Sequence, residues 1–406
     1  MEFVDGKASA MNRYERPRAN LTIALPRADR SVENFAVSAP GDFPAKVNAP
    51  LNRIAFAAAH VVADPLADSD PWLDAAVDWD RTIAFREHLW DLGFGVAEAM
   101  DTAQRGMGMS WPQSLELIRR SVAAAKPRGG LVFSGAGTDQ LAPEDAKSID
   151  DVIRAYEEQI AAIEAFGGRI ILMASRALAR VATSADDYRK VYGRVLSQVK
   201  EPVIIHWLGD MFDPALAGYW GTDNLEAAMD VAVEIINAHA AKVDGVKISL
   251  LDKDKEIAMR RRLAKGVRMY TGDDFNYAEL IAGDTHGYSD ALLGIFDAIA
   301  PAAAAALVAL SKDDNETFHG ILGPTVPLSR HIFRAPTRFY KTGVVFMAYL
   351  NGHQDHFTMV GGQESARSTL HLAEIFRLAD AAGLLRDPDL AVARMRAVLA
   401  VRGVGA

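Results

Sequence analysis

The chain of 406 residues contains no cysteine, which excludes disulfides, thiolate metal sites and a cysteine nucleophile. It has no apolar run fit to cross a bilayer: the alanine-rich stretch from Ala302 to Leu310 falls well short of the ~20 residues a membrane helix needs. The opening Met1-Glu2-Phe3-Val4-Asp5 lacks the basic start and apolar stretch of a secretory signal, so a cytoplasmic location is expected. A concentrated basic surface is also missing. The one dense basic run, Arg260-Arg261-Arg262, sits among helix formers and reads as a solvated helix face. With a net charge of −9, nothing points to nucleic acid as a partner. Ser134-Gly135-Ala136-Gly137 is glycine-rich but lacks the full GxGxxG pattern of a dinucleotide site.

Half of the residues are hydrophobic and 24% are charged, a balance suited to a large buried core. From Arg53 onward, short apolar runs alternate with longer segments of helical spacing. The strand candidates are Ile54 to Ala59, Gly95 to Met100, Leu131 to Ser134, Ile170 to Ala174, Val203 to Trp207, Val243 to Ile248, Val267 to Thr271 and Tyr288 to Leu293. Between them, Leu115, Ile118, Val122 and Ala125 mark one face of a helix, as do Ile149, Val152, Tyr156, Ile160 and Ile163, and Leu225, Met229, Ala232 and Ile236. Several strands are apolar almost throughout, as parallel strands covered on both sides are. Alternation of strands with helices implies βαβ units, and this many of them favour a closed (β/α)8 TIM barrel over a doubly wound open sheet. The barrel is expected over residues 51–311. Residues 1–50 form an N-terminal extension in which Leu21 to Leu25 could be a strand of a hairpin under the barrel. Residues 312–406 form a helical appendage, with helices around Glu316 to Leu322, Thr337 to Leu350, Ser365 to Ala382 and Leu390 to Val401.

In such barrels the active site lies at the carboxyl ends of the strands. The residues assigned there are His60 from strand one; Glu98, Asp101, Thr102, Gln104 and Arg105 from strand two; and Thr138 and Asp139 from strand three. Ser175 and Arg176 follow from strand four, His206 from strand five, Lys247 and Ser249 from strand six, Asp273 and Asp274 from strand seven, and His286, Tyr288, Ser289 and Asp290 from strand eight. Each has a plainer reading: a histidine satisfied by a hydrogen bond, Asp273 as a helix cap, Glu98 paired with an arginine. Lys247 stands apart because it interrupts a barrel strand, Val243 to Ser249. Ammonium groups are almost never fully buried unless paired. This one is a salt-bridge partner, a ligand clamp or an amine kept for chemistry, and Gly245, its alternation partner, leaves room beside it.

Asp244-Gly245-Val246-Lys247, then Tyr270-Thr271-Gly272-Asp273-Asp274, then Gly287-Tyr288-Ser289 resemble, in order and spacing, the dihydrodipicolinate synthase and N-acetylneuraminate lyase family. The likeness spans roughly Arg53 to Leu310. Ile332 to Pro336 and Lys341-Thr342-Gly343 are similar to that family's C-terminal helices. The resemblance implies a class I aldolase-like barrel with Lys247 as the imine-forming residue, a small-molecule carbonyl substrate and no cofactor. Relatives are often homo-oligomers, which makes self-assembly an option for this chain. There are departures. The family's Gly-Thr-Thr-Gly-Glu loop falls on Met100 to Arg105, where only Thr102 matches. The tyrosine that relays protons after strand four has no counterpart in Ala174-Ser175-Arg176-Ala177-Leu178, and His206 stands where a Tyr-Asn pair is common. The chain reads as a divergent branch.

On this reading Lys247 condenses with a small oxo-acid or keto-sugar derivative, its pKa lowered by apolar neighbours. His206 moves the proton, with Asp101 or Tyr288 as further candidates. Arg105 and Arg176 clamp a carboxylate or phosphate. Glu98, Thr102, Asp273, Ser289, His60 and His286 read the rest of the substrate. Two rivals remain at this level. One is a metal-dependent lyase, isomerase or hydrolase using His60, Glu98, Asp101, His206 and His286, although none has tight ligand spacing such as HExxH. The other is a barrel that binds a small molecule without turning it over.

Overall fold

The computed structural model describes residues 18–404. Its centre is a closed barrel of eight parallel strands in chain order. These are β3 (Ala55–Ala58), β4 (Gly95–Glu98), β5 (Val132–Ala136), β6 (Arg169–Leu172), β7 (Val203–Leu208), β8 (Val243–Ser249), β9 (Arg268–Thr271) and β10 (Asp290–Leu293), with β10 pairing back onto β3. All eight runs read from the sequence are strands. Five of them (β3, β4, β5, β7 and β10) are buried at every residue, which explains why their sequences show apolar runs rather than alternation.

Helices α1 (Trp79–Asp91), α2 (Trp111–Ala125), α3 (Ile149–Ala165), α4 (Arg176–Val181), α5 (Ala185–Gln198), α6 (Leu225–Ala238), α7 (Lys253–Arg260), α8 (Tyr277–Ala282), α9 (Ile295–Ala298) and α10 (Ala300–Leu310) surround the barrel. Their starts carry local signals. Ser110 and Gln113 form a capping box on α2, and the Ser148 and Asn224 side chains cap α3 and α6. Inside the barrel, Phe56, Ala58, Ala97, Phe133, Ile171, Ile204, Tyr270 and Leu292 form a core separate from the outer one. The Phe56 ring meets Phe133 and Tyr270 edge-on at 5.2 and 5.8 Å. This part of the barrel is solid, so any ligand space lies beyond it.

The C-terminal region adds α11 (Asn315–Leu322), α12 (Val326–Ile332), α13 (Tyr340–Leu350), α14 (Thr369–Ala381) and α15 (Pro388–Val401). Every residue of α13 is buried, as expected of a helix apolar all round, and its first turn packs on the short 3-10 turn Asp101–Ala103 after β4. An N-terminal antiparallel hairpin, β1 (Arg18–Pro26) and β2 (Val32–Ser38), includes the strand expected at Leu21 to Leu25. It lies against α14 and α15 instead of under the barrel. Arg377 anchors it to Glu33 and the Pro26 carbonyl, and Ser38 donates to Asp380. Among the described residues, no helix is long and apolar enough to cross a membrane.

Candidate active site

Along β8, Gly245, Lys247 and Ser249 alternate with Val246 and Ile248. The first set faces the barrel interior: the Tyr270 ring occupies the space beside Gly245, and the Ser249 hydroxyl meets His206 Nε2 at 3.3 Å. Lys247 stands in register with His206 on β7 and Tyr270 on β9. The glycine that makes room for its side chain is not Gly245 but Gly272, where an added Cβ would stand 2.8 Å from Lys247 Cε. Lys247 is 7% exposed and, among the described residues, makes no ion pair or hydrogen bond. Burial lowers its pKa, while the nearby Asp274 and Asp101 carboxylates pull it the other way.

These neighbours are shifted in turn. Burial raises Asp274 to about 7; its carboxylate also accepts the Ile295 amide at 2.8 Å. His206 is pushed well below the ordinary imidazole value by burial and by Lys247, and its Nδ1 is buried without a partner. A neutral imidazole of this kind suits hydrogen bonding. The downward shift works against the role of proton carrier expected of His206 from its residue type.

The loop after β4 bends sharply, with Ala99 at φ 52° and Gln104 at φ 60°, left-handed values that cost strain in non-glycine residues. Gln104 donates to the Val360 carbonyl at 2.6 Å, and the Thr102 and Tyr340 hydroxyls lie 2.8 Å apart. Two residues unforeseen as site members arrive in this way from α13. Tyr340 is buried beside Asp101, with its pKa held far above the phenol range by burial first and that carboxylate second. Lys341 is brought down to about 8 by burial. Two cavities, of about 470 and 180 Å³, open at this mouth and share Asp101, Arg105, Arg176, Leu208 and Asp213. Lys247 lines neither, and Asp101 is the link between them and the amine.

The remaining candidates divide. Arg105 is at the mouth but already engaged, by Asp139 at 2.6 Å and by Gln159 and the Gly135 carbonyl. Arg176, the first residue of α4, is held through Nε by Asp213 at 2.5 Å, and its helix is fixed by Ser175, whose hydroxyl bonds Thr138 at 2.6 Å. Asp273 keeps the plainer role, accepting the Phe275 and Asn276 amides at 2.9 and 3.0 Å. Glu98 is likewise consumed by Arg86, Ser121 and the Ala99 amide, and His60 Nδ1 by Asp297 at 2.8 Å.

His286, Tyr288 and Ser289 are corrections of position. They precede β10, and therefore stand at the amino-terminal rim of the barrel, away from the mouth. His286 lies in an exposed turn, Tyr288 is 44% exposed under the Arg53 guanidinium, and Ser289 donates to Glu256 at 2.7 Å. Among the described residues, no three histidine, aspartate or glutamate side chains converge on a point that could hold a metal, and the five proposed as ligands are spread over these separate environments.

The family model described as "Protein of unknown function (DUF993)" matches residues 23–404. The chain belongs to this family. No curated protein sequence matches it. Its barrel is built like those of dihydrodipicolinate synthases. It resembles a prophage protein of the dihydrodipicolinic acid synthase family from E. coli K12, solved with pyruvate, at TM-score 0.63 and 14% identity over 82% of this chain and 100% of that one. A putative dihydrodipicolinate synthetase from Pseudomonas aeruginosa matches at TM-score 0.61 and 15% identity, over 81% of this chain and 99% of that one. The dihydrodipicolinate synthase of Aquifex aeolicus gives 0.61 and 13%, over 82% and 99%. At these identities the likeness is one of fold.

Proposed function

We propose that this DUF993 protein is a Schiff-base-forming lyase or aldolase acting on a small oxo-acid or keto-sugar-derived compound, with Lys247 as its nucleophile. The observation that carries the reading is a lysine amine facing a barrel interior with no salt-bridge partner and a lowered pKa. Only an unprotonated amine attacks a carbonyl carbon, and burial moves this one in that direction. The carbinolamine then loses its oxygen as water, leaving an iminium that draws electrons from the adjacent carbon. A carbon–carbon bond at that carbon can break, its electron pair passing into an enamine, or form in the reverse direction.

Asp274, with a pKa near 7 beside the amine, is suited to give the proton that carries the hydroxyl away and to take it back. Tyr340 provides a phenol at the mouth, in the role for which the family's strand-four tyrosine is missing. His206 and Ser249 hold the amine's flank as neutral hydrogen-bonding groups. The carbonyl must reach past Asp101 to meet Lys247.

Borohydride reduction in the presence of a panel of oxo-acids and keto-sugar acids tests this. Mass spectrometry should find the adduct on the Lys247 peptide, and Lys247→Arg should abolish it. An adduct on Lys341 in its place, or none with any member of the panel, removes the proposal.

A further inference from the structure

The smaller mouth cavity, of about 180 Å³, lies between the loop after β4, the start of α4 and the start of α13. Its charged lining is Arg105, Arg176, Arg338 and Lys341 against Asp101 and Asp213. In a chain whose net charge is −9, four cations around one small space is a local reversal of sign. Arg105 is neutralised from outside the cavity by Asp139, and Asp213 is taken up by Arg176 Nε. The Lys341 ammonium is different. Its residue is 4% exposed, yet Nζ donates only to the Arg338 carbonyl at 3.1 Å and to the weakly accepting Met107 sulfur at 3.2 Å. Among the described residues it makes no ion pair. After burial, the charges acting on it are, in order, Asp101 as an opposite charge, Arg176 as a like charge, Asp213 as an opposite charge and Arg338 as a like charge. The two terminal nitrogens of Arg176 have no acceptor among the described residues beyond the Nε contact to Asp213, and Nη1 lies over Gly106. With Arg105 neutralised from outside, Lys341, Arg176 and Arg338 face two carboxylates, Asp101 and Asp213, which leaves one positive charge in excess; an anion placed among the three cations balances that excess and is matched by planar N–H pairs and an ammonium point charge.

We propose that this cavity is an oxyanion subsite in which Lys341, Arg176 and Arg338 hold a phosphate or carboxylate at the end of the substrate remote from its reacting carbonyl. The substrate class is thus an oxo compound carrying a second anionic group, either a phosphate ester or a dicarboxylate. The proposal deepens the lyase reading and rests on it for the carbonyl end alone, because the cavity's charge does not depend on what Lys247 does. It also gives the C-terminal region a function: α13 contributes both the phenol and the anion-binding amine to a barrel whose usual carboxylate-binding loop is replaced.

The test is calorimetric titration of the full chain at low ionic strength with inorganic phosphate and, separately, with malonate. At least one should bind, at least tenfold more weakly to Lys341→Met and several-fold more weakly to Arg338→Ala. Tighter phosphate binding identifies a phosphorylated substrate, and tighter malonate binding a dicarboxylate. Arg338 is exposed, so its replacement decides the matter should Lys341→Met not fold. Equal binding by wild type and the folded variants, or no binding of either anion, overturns the proposal. Lys247→Met should leave both affinities unchanged. Retained anion binding without any Lys247 adduct therefore sinks the lyase reading alone, and an adduct with no anion dependence sinks the subsite alone.

Discussion

The hydroxyls of Thr102 and Tyr340 lie 2.8 Å apart although 238 residues separate them in the chain. This bond joins the turn that carries Asp101 to the first turn of α13 and aims the phenol at the same carboxylate that influences Lys247. In the lyase reading Tyr340→Phe removes a proton carrier without removing the nucleophile. kcat should fall by about 10²- to 10⁴-fold, the usual worth of general acid–base groups, while borohydride still traps substrate on Lys247. Thr102→Val keeps the phenol but strips its partner, so its loss should be smaller. A Phe variant that also loses trapping would assign Tyr340 to packing.

Asp274 and Lys247 form a coupled pair in which the carboxylate favours the protonated amine. Asp274→Asn removes that charge while its side-chain carbonyl can still accept the Ile295 amide. The amine should then deprotonate more readily, and the pH profile of imine trapping should move to lower pH. A profile that stays in place, or moves upward, means that the two groups do not communicate.

Glu256 gives a stability prediction with a definite sign. Burial raises its pKa to about 8, and Oε2 has no partner. The native state therefore holds a proton that the unfolded chain has released across roughly pH 4.5 to 8, and stability is lost as pH rises through that window. Asp274, raised to about 7, acts in the same direction. Glu256→Gln imitates the protonated form and keeps an acceptor for Ser289. It should be more stable than wild type near pH 8, by on the order of a few kcal/mol, and no more stable at pH 4. Denaturant unfolding at the two pH values measures the difference.

The barrel was legible because its strands are short apolar runs fixed by local composition, and all eight recur as strands. Of the candidate site, the part that depends on those strands was legible as a grouping: Lys247 and His206 stand in register on β8 and β7, and Asp101 is near enough to act on the amine. Two things were not. The polar run before Asp290 flanks the last strand on its amino side, and composition does not say at which end of a strand a polar flank lies. Tyr340 and Lys341 reach the mouth from a helix outside the strand–helix repeat, so strand ends could not nominate them. One signal was present: a lysine next to a helix otherwise apolar from Val344 to Leu350 has to find either a counter-charge or a cavity.

Glu98 separates structure from chemistry. Its carboxylate and the Arg86 guanidinium are both fully buried, and the Ser121 hydroxyl and Ala99 amide complete its bonds. Removing the charge from one side leaves the other uncompensated, at a cost of about 3–5 kcal/mol. Glu98→Gln should thus lower unfolding stability by that order while leaving KM unaltered. A changed KM in a protein of unchanged stability would return Glu98 to the substrate.

Gly272 gives the most direct test of where the Lys247 amine sits. An added Cβ would stand 2.4 Å from Ser249 Oγ, 2.5 Å from the Ile248 carbonyl and 2.8 Å from Lys247 Cε. The backbone cannot simply recede, because the Gly272 amide donates to that same Ile248 carbonyl at 3.0 Å. Something in the lysine's surroundings must shift, at about 1–3 kcal/mol for overpacking a tight core. Gly272→Ala should therefore slow trapping at Lys247 at least tenfold in a protein that still folds. Gly320→Ala is the control: in α11 its Cβ meets nothing within 4 Å, and it should gain about 0.5–1 kcal/mol of stability with trapping unchanged. If Gly272→Ala traps substrate at the wild-type rate, the amine does not occupy the space beside Gly272, and its approach to the mouth must be by another path.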